Sequence, residues 1–499
     1  MRKRRNILWI MTDQQRADAL GTVSPWMHTP NMDRLGSEGA QLLRMFAQSP
    51  VCVPSRVNFV TGRYPHSHGS RENNAPVGPG EPHVFRVLRA AGYRVALVGK
   101  NHTFYNDDLP KLDFAFTGPL NLTSGSPAAE AFGEHIRGCG QRMRELGCWA
   151  GAKLHDFPEE VTSTHRVADA AVEYLRSPDR GDPFLLWVSF PDPHAPHTAP
   201  SRFAKLYPLD GVSLPEGALA SEQEAEVRTK ASRQAVKRKA QGMVSAPEEG
   251  VRHYIAVYSA MISFVDEHVG RILEELDRQG LADSTIVVYT SDHGDFRGDH
   301  GMVKKDLLLY DCLLNIPCII RCPGQIPPRQ FASALAQQID LYPTLLDYAG
   351  VDIPRGVQGQ SLRPLLDGGD DWFRDEAFAE ICPPDFRNPF RSADEFLSEW
   401  RRARDIEGHP LRWTAAFNVP GDFVKMIRTA TRKYIWYANG ECELYDLERD
   451  PAERVNLADD PAYADDLASL RSRLFEWHVL AEDPLDSSDA RRIASDYPW

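Results

Sequence analysis

The sequence of 499 residues predicts an α/β protein, with a large mixed, mostly parallel sheet sandwiched by helices and a smaller C-terminal α+β subdomain. Three observations predict it. Short apolar runs alternate with helical periodicity from Asn6 to about Leu365, the pattern of strands buried on both faces and joined by crossover helices. The chain is too long for one small domain. After Asp367-Gly368-Gly369-Asp370 the alternation gives way to short strand-like runs. The chain therefore divides into a large domain, 1–368, and a subdomain, 369–499.

The first element, Ile7 to Thr12, is an apolar run that ends on Asp13-Gln14. It reads as a buried strand delivering Asp13 to its carboxyl end, where ligand sites of open α/β sheets lie; capping a helix over Gln14 to Leu20 is the alternative use of Asp13. In Cys52-Val53-Pro54-Ser55-Arg56, the proline suggests a turn leading into a helix over Val57 to Thr61. A helix start beside Arg56 favours an oxyanion. Cys52 stays open between a buried thiol, half of a disulfide and a catalytic thiolate.

Gly92 to Gly99 forms a second strand, followed by Lys100 and His102. Helical patterns cover Thr164 to Arg176 and Val251 to Gln279. Phe184 to Phe190 is a strand whose following loop carries His194 and His197, and Thr285 to Ser291 is another, ending on Asp292-His293. Lys304-Lys305 follows shortly, with a solvated face as its bland reading. Cys318-Ile319-Ile320 supplies one more apolar run. Ser221 to Gln241 lacks an apolar stripe and reads as an exposed insertion near the rim of the site, while Cys382 to Pro420 reads as a loop-like wall. Val424 to Ala438 and Cys442 to Asp446 read as antiparallel strands before a final helix over Tyr463 to His478.

A formal net charge of −13 argues against nucleic acid or an anionic membrane as the main partner. The basic start Met1-Arg2-Lys3-Arg4-Arg5 precedes an apolar run too short for a signal peptide, and no stretch is long enough to span a bilayer. The expected compartment is the cytoplasm, with leaderless export as an alternative. Eight cysteines at irregular spacing show no zinc pattern and fit reduced thiols.

Six separated segments together resemble the type I, formylglycine-dependent sulfatases of the alkaline phosphatase superfamily, with phosphonate monoester hydrolases and choline sulfatases as near relatives. These are Asn6 to Gln14, the C-x-P-S-R of Cys52 to Arg56, Gly92 to His102, the pair Pro183 to Pro200 and Thr285 to Lys305, and the closing Glu443-Leu444-Tyr445-Asp446-Leu447. Three departures stand out: Val95 stands where threonine is usual, Asp13-Gln14 where many members have two consecutive aspartates, and Asp292-His293 where they have an asparagine beside the aspartate. The resemblance implies an alkaline phosphatase-like fold and one divalent metal held by Asp13, Asp292 and His293, with the modified Cys52 completing the sphere and the Gln14 amide oxygen as a further ligand. Ca²⁺ is the family's ion, and the imidazole makes Mn²⁺ the alternative.

The same resemblance implies that Cys52 is converted to formylglycine, so that a formylglycine-generating enzyme is a partner. Its hydrate attacks sulfur, His102 takes the proton of the second hydroxyl, and Lys100 and Arg56 hold the diol and the transferred oxyanion. His194 and Lys305 face the departing oxygen and the sulfate, and Asn73 reaches the same anion. The function implied is hydrolysis of a sulfate monoester on a small molecule or saccharide. A phosphonate monoester or phosphodiester hydrolase with the same nucleophile is the second reading, and a non-catalytic anion-binding protein the third. A homo-oligomer is compatible with all three.

Overall fold

The computed structural model describes residues 4–145, 152–219, 234, 238, 248–369, 374–382 and 423–481. Its strands are β1 (Asn6–Asp13), β2 (Ala40–Phe46), β3 (Arg94–Gly99), β4 (Phe114–Phe116), β5 (Ala152–His155), β6 (Phe184–Pro193), β7 (His197–Pro200), β8 (Thr285–Ser291), β9 (Asn315–Arg321), β10 (Gln330–Ala332), β11 (Ala336–Gln337), β12 (Ala377–Ile381), β13 (Val424–Arg428), β14 (Arg432–Tyr437) and β15 (Cys442–Asp446). Nine of them form one sheet in the order β10-β2-β9-β8-β1-β6-β3-β4, with β11 also on β2. All its pairings are parallel except those of β9, which runs antiparallel to both β8 and β2.

Strand β1 lies at the centre between β6 and β8, and all eight of its residues are buried. Its side chains alternate between two cores, as strand periodicity requires. Ile7, Trp9 and Met11 join the layer containing Val53, Val57 and Phe59 of the helix Cys52–Thr61, with Trp9 stacked on Trp187 at 5.2 Å between ring centroids. Leu8 and Ile10 join the opposite layer, built from the helices Ser163–Arg176 and Glu248–Arg278. A strand apolar on both faces must be covered on both. The result is the three-layer α/β arrangement expected.

Because β3, β6, β1 and β8 run in the same direction, their carboxyl ends meet along one edge of the sheet. The residues that follow are Lys100, His194, Gln14 and Asp292. Gly99, at φ +103°, lets β3 close over β6, since a Cβ there would fall on the Ser189 carbonyl oxygen; the next amide, Lys100 N–H, donates to that same oxygen at 2.8 Å.

Strands β12 to β15 form a separate antiparallel sheet, against which the helix Ala464–Leu480 packs. Sequence reasoning missed β2 and β12, and the short strands β4, β5, β7, β10 and β11. It also started the Cys52 helix too late: the helix begins at Cys52, because Pro54 sits in the first turn, where backbone N–H groups have no intrahelical acceptor. No helix follows Asp13, so the capping alternative is excluded. Of Ser221 to Gln241 only Gln234 and Arg238 are described, and both are buried rather than exposed, with Gln234 Nε2 at 3.0 Å from His300 Nδ1. Of Cys382 to Pro420 only Cys382 lies within the described residues. No described helix is long and apolar enough to cross a membrane, and Cys52, Cys139, Cys312, Cys318, Cys382 and Cys442 form no disulfide.

The small sheet is tied to the large one through Glu380 of β12. Its backbone N–H donates to Gln48 O at 2.9 Å, and its fully buried carboxylate pairs with the His66 ring at 2.8 Å and with Lys425. Burial opposes ionisation, but Lys425 and His66 outweigh it and hold the carboxyl well below the usual range. The folded pKa thus lies under the ordinary value of 4.5, so the group stabilises the fold fully above that pH and progressively less below it. Glu380→Gln should cost about 3–5 kcal/mol at pH 7, because it strands a buried lysine. Melting temperatures measured from pH 7 down to pH 3 should also fall less steeply for the variant than for the wild type.

Candidate active site

Cys52 is the first residue of a ten-residue helix in which every residue is buried. Its Sγ lies 3.8 Å from Asp13 Oδ1 and 3.4 Å from His293 Nε2, and it contacts Lys305 Nζ. The His102 side chain also reaches the sulfur. One turn along the same face, Arg56 is wholly buried and spends three of its nitrogens on the strand ends. Nε pairs with Asp292 Oδ2 at 2.9 Å, Nη2 with Asp13 Oδ2 at 3.0 Å, and Nη1 donates to Ser189 Oγ at 2.7 Å.

These bonds decide which lone pairs remain. Asp13 Oδ2 also receives Lys100 Nζ at 2.6 Å, which leaves Oδ1 facing the centre. Asp292 Oδ1 accepts the backbone N–H groups of Gln14 and His293 at 3.0 and 2.9 Å. His293 Nδ1 lies 2.9 Å from Gly294 O. A carbonyl can only accept, so Nδ1 carries a proton, and in the neutral ring Nε2 presents a lone pair. That Nε2 is 3.8 Å from Asp13 Oδ1 and 3.5 Å from Asp292 Oδ1. The ligand atoms of Asp13, Cys52, Asp292 and His293 all lie within 4.8 Å of one another. Two carboxylate oxygens, one imidazole nitrogen and the atom at position 52 converging in a buried space fit a divalent cation, which repays the cost of gathering them.

The electrostatics follow from the same packing. Burial alone would raise the Asp13 carboxyl, but Lys100, His194, Lys305 and Arg56 hold it well below the usual range. The Cys52 thiol is likewise brought well down: burial and Asp13 push it up, and Lys305, Lys100 and His293 outweigh them. Burial, helped by Lys100 and Arg56, draws His102 below its ordinary value, so its imidazole is neutral and able to accept a proton.

The remaining candidates take distinct places. Asn73 Oδ1 accepts the Val53 N–H at 3.1 Å, which puts this side chain at the helix start. His194 follows β6, where a register shift pairs Asp13 with Pro193, and its Nδ1 donates to Ala195 O at 2.8 Å. Lys305 Nζ is 2.5 Å from His293 Nε2, brought back by a loop in which Phe296 N–H donates to Lys304 O at 2.6 Å. Neither Lys304 nor Lys305 lies on a solvated face; burial pulls Lys304 down to about 8. Arg56 differs from the expectation: it clamps the two carboxylates, and its place is behind them rather than on a transferred oxyanion.

Sequence reasoning missed the groups that hold Gln14. That residue sits at φ +75°, its Nε2 donates to buried Asp295 Oδ2 at 2.6 Å, Tyr254 OH donates to the same oxygen at 2.9 Å, and Tyr258 OH donates to Gln14 O at 2.8 Å. Ser189 was missed as well. The Ser-Asp-His-Gly-Asp run put Asp295 in view, but its partners come from a helix some forty residues earlier and carry no local signal.

Residues 5–351 match the family model described as Sulfatase. Among curated proteins, the chain is 27% identical to the multifunctional alkaline phosphatase superfamily protein PehA of Trinickia caryophylli, covering 96% of each chain. It is 28% identical to a choline-sulfatase of Rhizobium meliloti, over 99% of this chain and 93% of that protein. Among solved structures, the phosphonate monoester hydrolase of Silicibacter pomeroyi shares the fold with a TM-score of 0.76 at 24% identity, over 96% of each chain.

The donor geometry makes a direct demand on Asp292. Asp292→Asn should lower affinity for a divalent cation at least about ten-fold, read as bound metal per chain by elemental analysis after dialysis against a fixed Ca²⁺ or Mn²⁺ concentration. Unchanged stoichiometry across that titration would remove Asp292 from the metal-binding set.

Proposed function

The chain belongs to the sulfatase family, and from that membership we propose that it hydrolyses a sulfate monoester at Cys52. The observation that carries this reading is the meeting, around the Cys52 sulfur, of three lone-pair donors from β1 and β8 with Lys305, His102 and nearby Lys100. Asp13, Asp292, His293, position 52 and the Gln14 amide oxygen would hold the metal, which would supply the charge that neutralises the sulfate oxygens and polarises the ester. Ca²⁺ is proposed from the family, with Mn²⁺ as the alternative that His293 favours.

We further propose that Cys52 is formylglycine in the active protein, made by a formylglycine-generating enzyme, so that the thiol sulfur stands in for the oxygens of a hydrated aldehyde. Hydrated, position 52 supplies one hydroxyl as nucleophile and a second whose deprotonation releases sulfate. The surrounding side chains perform the rest. Arg56 fixes the carboxylates, and Lys100 and Lys305 place positive charge beside the transferred group. His102 is neutral and in contact with position 52, which suits it to take the second hydroxyl's proton. His194, on the loop after β6, gives a proton to the departing alcohol, and Asn73 steadies the helix start. A phosphonate monoester or phosphodiester is the second reading, supported by Asp13-Gln14 and Asn73, at which the chain resembles phosphonate monoester hydrolases.

A panel of aryl sulfate, phosphodiester and phosphonate esters tested on one preparation separates the two readings: the sulfate should have the highest kcat/KM. Peptide mass spectrometry of protein made beside the modifying enzyme should find an aldehyde at position 52. Cys52→Ala should lose several powers of ten in rate, and full activity with an unmodified thiol would overturn the assignment. His194→Ala should slow esters of alkyl or sugar alcohols about 10²–10⁴-fold while sparing nitrophenyl esters, whose leaving group needs little protonation. Equal losses across a leaving-group series would instead place His194 on the anion and make Lys305 the acid.

A further inference from the structure

A cavity of about 300 Å³ opens beside the site, and Lys100 and His194 line it. Asp192 and His155 also line it, with Phe132 and Phe264 among the apolar walls. Nothing in the hydrolytic step uses these four. We propose, resting on the sulfatase reading, that this cavity receives the alcohol half of the ester and that it is shaped for a single hydroxyl-bearing ring, a monosaccharide sulfate, with Asp192 and His155 hydrogen-bonding the ring hydroxyls.

Position supports it first. His194 lines the cavity and follows Pro193, the residue paired with Asp13, so an ester whose sulfur lies at Cys52 can direct its alcohol oxygen past His194 into this space. The fold carries His155 there deliberately: β5 pairs in parallel with β7, setting His155 against Pro200 at the end of the loop that starts at His194. The volume is at the small end for ligand sites, room for one ring and not for a chain of them.

Unmet hydrogen bonding supports it second. His155 is 4% exposed, and its Nδ1 has no partner. Such a group in a native protein calls for an explanation. Asp192 accepts one bond, from the Thr164 hydroxyl, and burial pushes its carboxyl up to about 6, the sign of a carboxylate short of donors. A ring hydroxyl both donates and accepts, and so can satisfy each of them. An unsubstituted aryl alcohol leaves the His155 ring without a partner and adds none to Asp192. The trimethylammonium of choline has no polar hydrogen for either, although it would find Asp192 and the aromatic walls. Among the described lining residues Lys100 is the one permanent cation, and it is committed to Asp13, so a second sulfate on the ring finds no counter-charge.

The test compares kcat/KM for a monosaccharide 6-sulfate, choline sulfate and 4-nitrophenyl sulfate in the wild type, Asp192→Asn and His155→Phe, the last keeping the packing against Phe132 while removing both nitrogens. The wild type should prefer the sugar over choline sulfate. Each substitution should lower kcat/KM for the sugar about ten- to hundred-fold, mostly through KM, and at least ten times more than for nitrophenyl sulfate. His155→Gln, which keeps a donor and an acceptor, should recover part of the loss. Equal losses on all substrates would make these residues supports of the loop and overturn the proposal, as would a wild type that prefers choline sulfate and loses that activity in Asp192→Asn. If nitrophenyl sulfate is turned over without discrimination among the alcohols, only the cavity assignment falls. If the wild type cleaves no sulfate ester at all, the sulfatase reading falls and takes this inference with it.

Discussion

The structure depends on one arrangement: the buried Arg56 guanidinium held against Asp13 and Asp292. Two carboxylates at the ends of adjacent parallel strands repel each other, and neither can be taken from water without an opposite charge. Arg56 supplies that charge from behind, and its planar fork binds one oxygen of each acid, so the other oxygen is turned toward Cys52. The same side chain sets the helix relative to the sheet. Cys52 and Arg56 are a turn apart on one face, and fixing the arginine on the strand ends fixes position 52 over the gap between them. Charge, geometry and helix placement are thus a single constraint.

Around that constraint the site is assembled from strand ends and from loops. Asp13, Lys100 and Asp292 ride on strand ends whose neighbours are paired along their length. His194 and Lys305 sit on loops, and each is held by a backbone contact of its own or of the residue beside it: His194 by Ala195 O, Lys305 through the Phe296–Lys304 bond. This division suits the chemistry. The groups that must hold a charged centre lie on paired strands, whereas those facing the variable half of a substrate lie where loops can differ between relatives. The cavity beyond His194 draws on both, since Asp192 comes from the end of β6 and His155 from β5, outside the central sheet.

Strand identity and most of the site were legible in the sequence because both leave short-range traces. Continuous apolar runs ending on Asp13, Lys100 and Asp292-His293 encode a buried strand and its carboxyl end within a dozen residues, and the C-x-P-S-R run is contiguous. Strands β2 and β12 were not legible. Gln41 and Arg44 interrupt the first and Glu380 the second, and these polar residues are acceptable only because partners elsewhere in the chain, such as His66 and Lys425, meet Glu380. The Cys52 helix was cut short because Pro54 reads as a breaker, although in a first turn it costs no hydrogen bond.

By itself, then, the sequence determined the layered α/β architecture, the residues available for a metal and a nucleophile, and the anionic class of the substrate, since these rest on local periodicity and on residue type. Tertiary structure alone decided which oxygen of each carboxylate faces the centre, that Arg56 serves the acids, that Gln14 is steered by Asp295 and two tyrosines, and that Asp192 and His155 share a cavity. Those outcomes depend on distances between groups far apart in the chain and on the desolvation of buried charge, neither of which is written in any short stretch of residues.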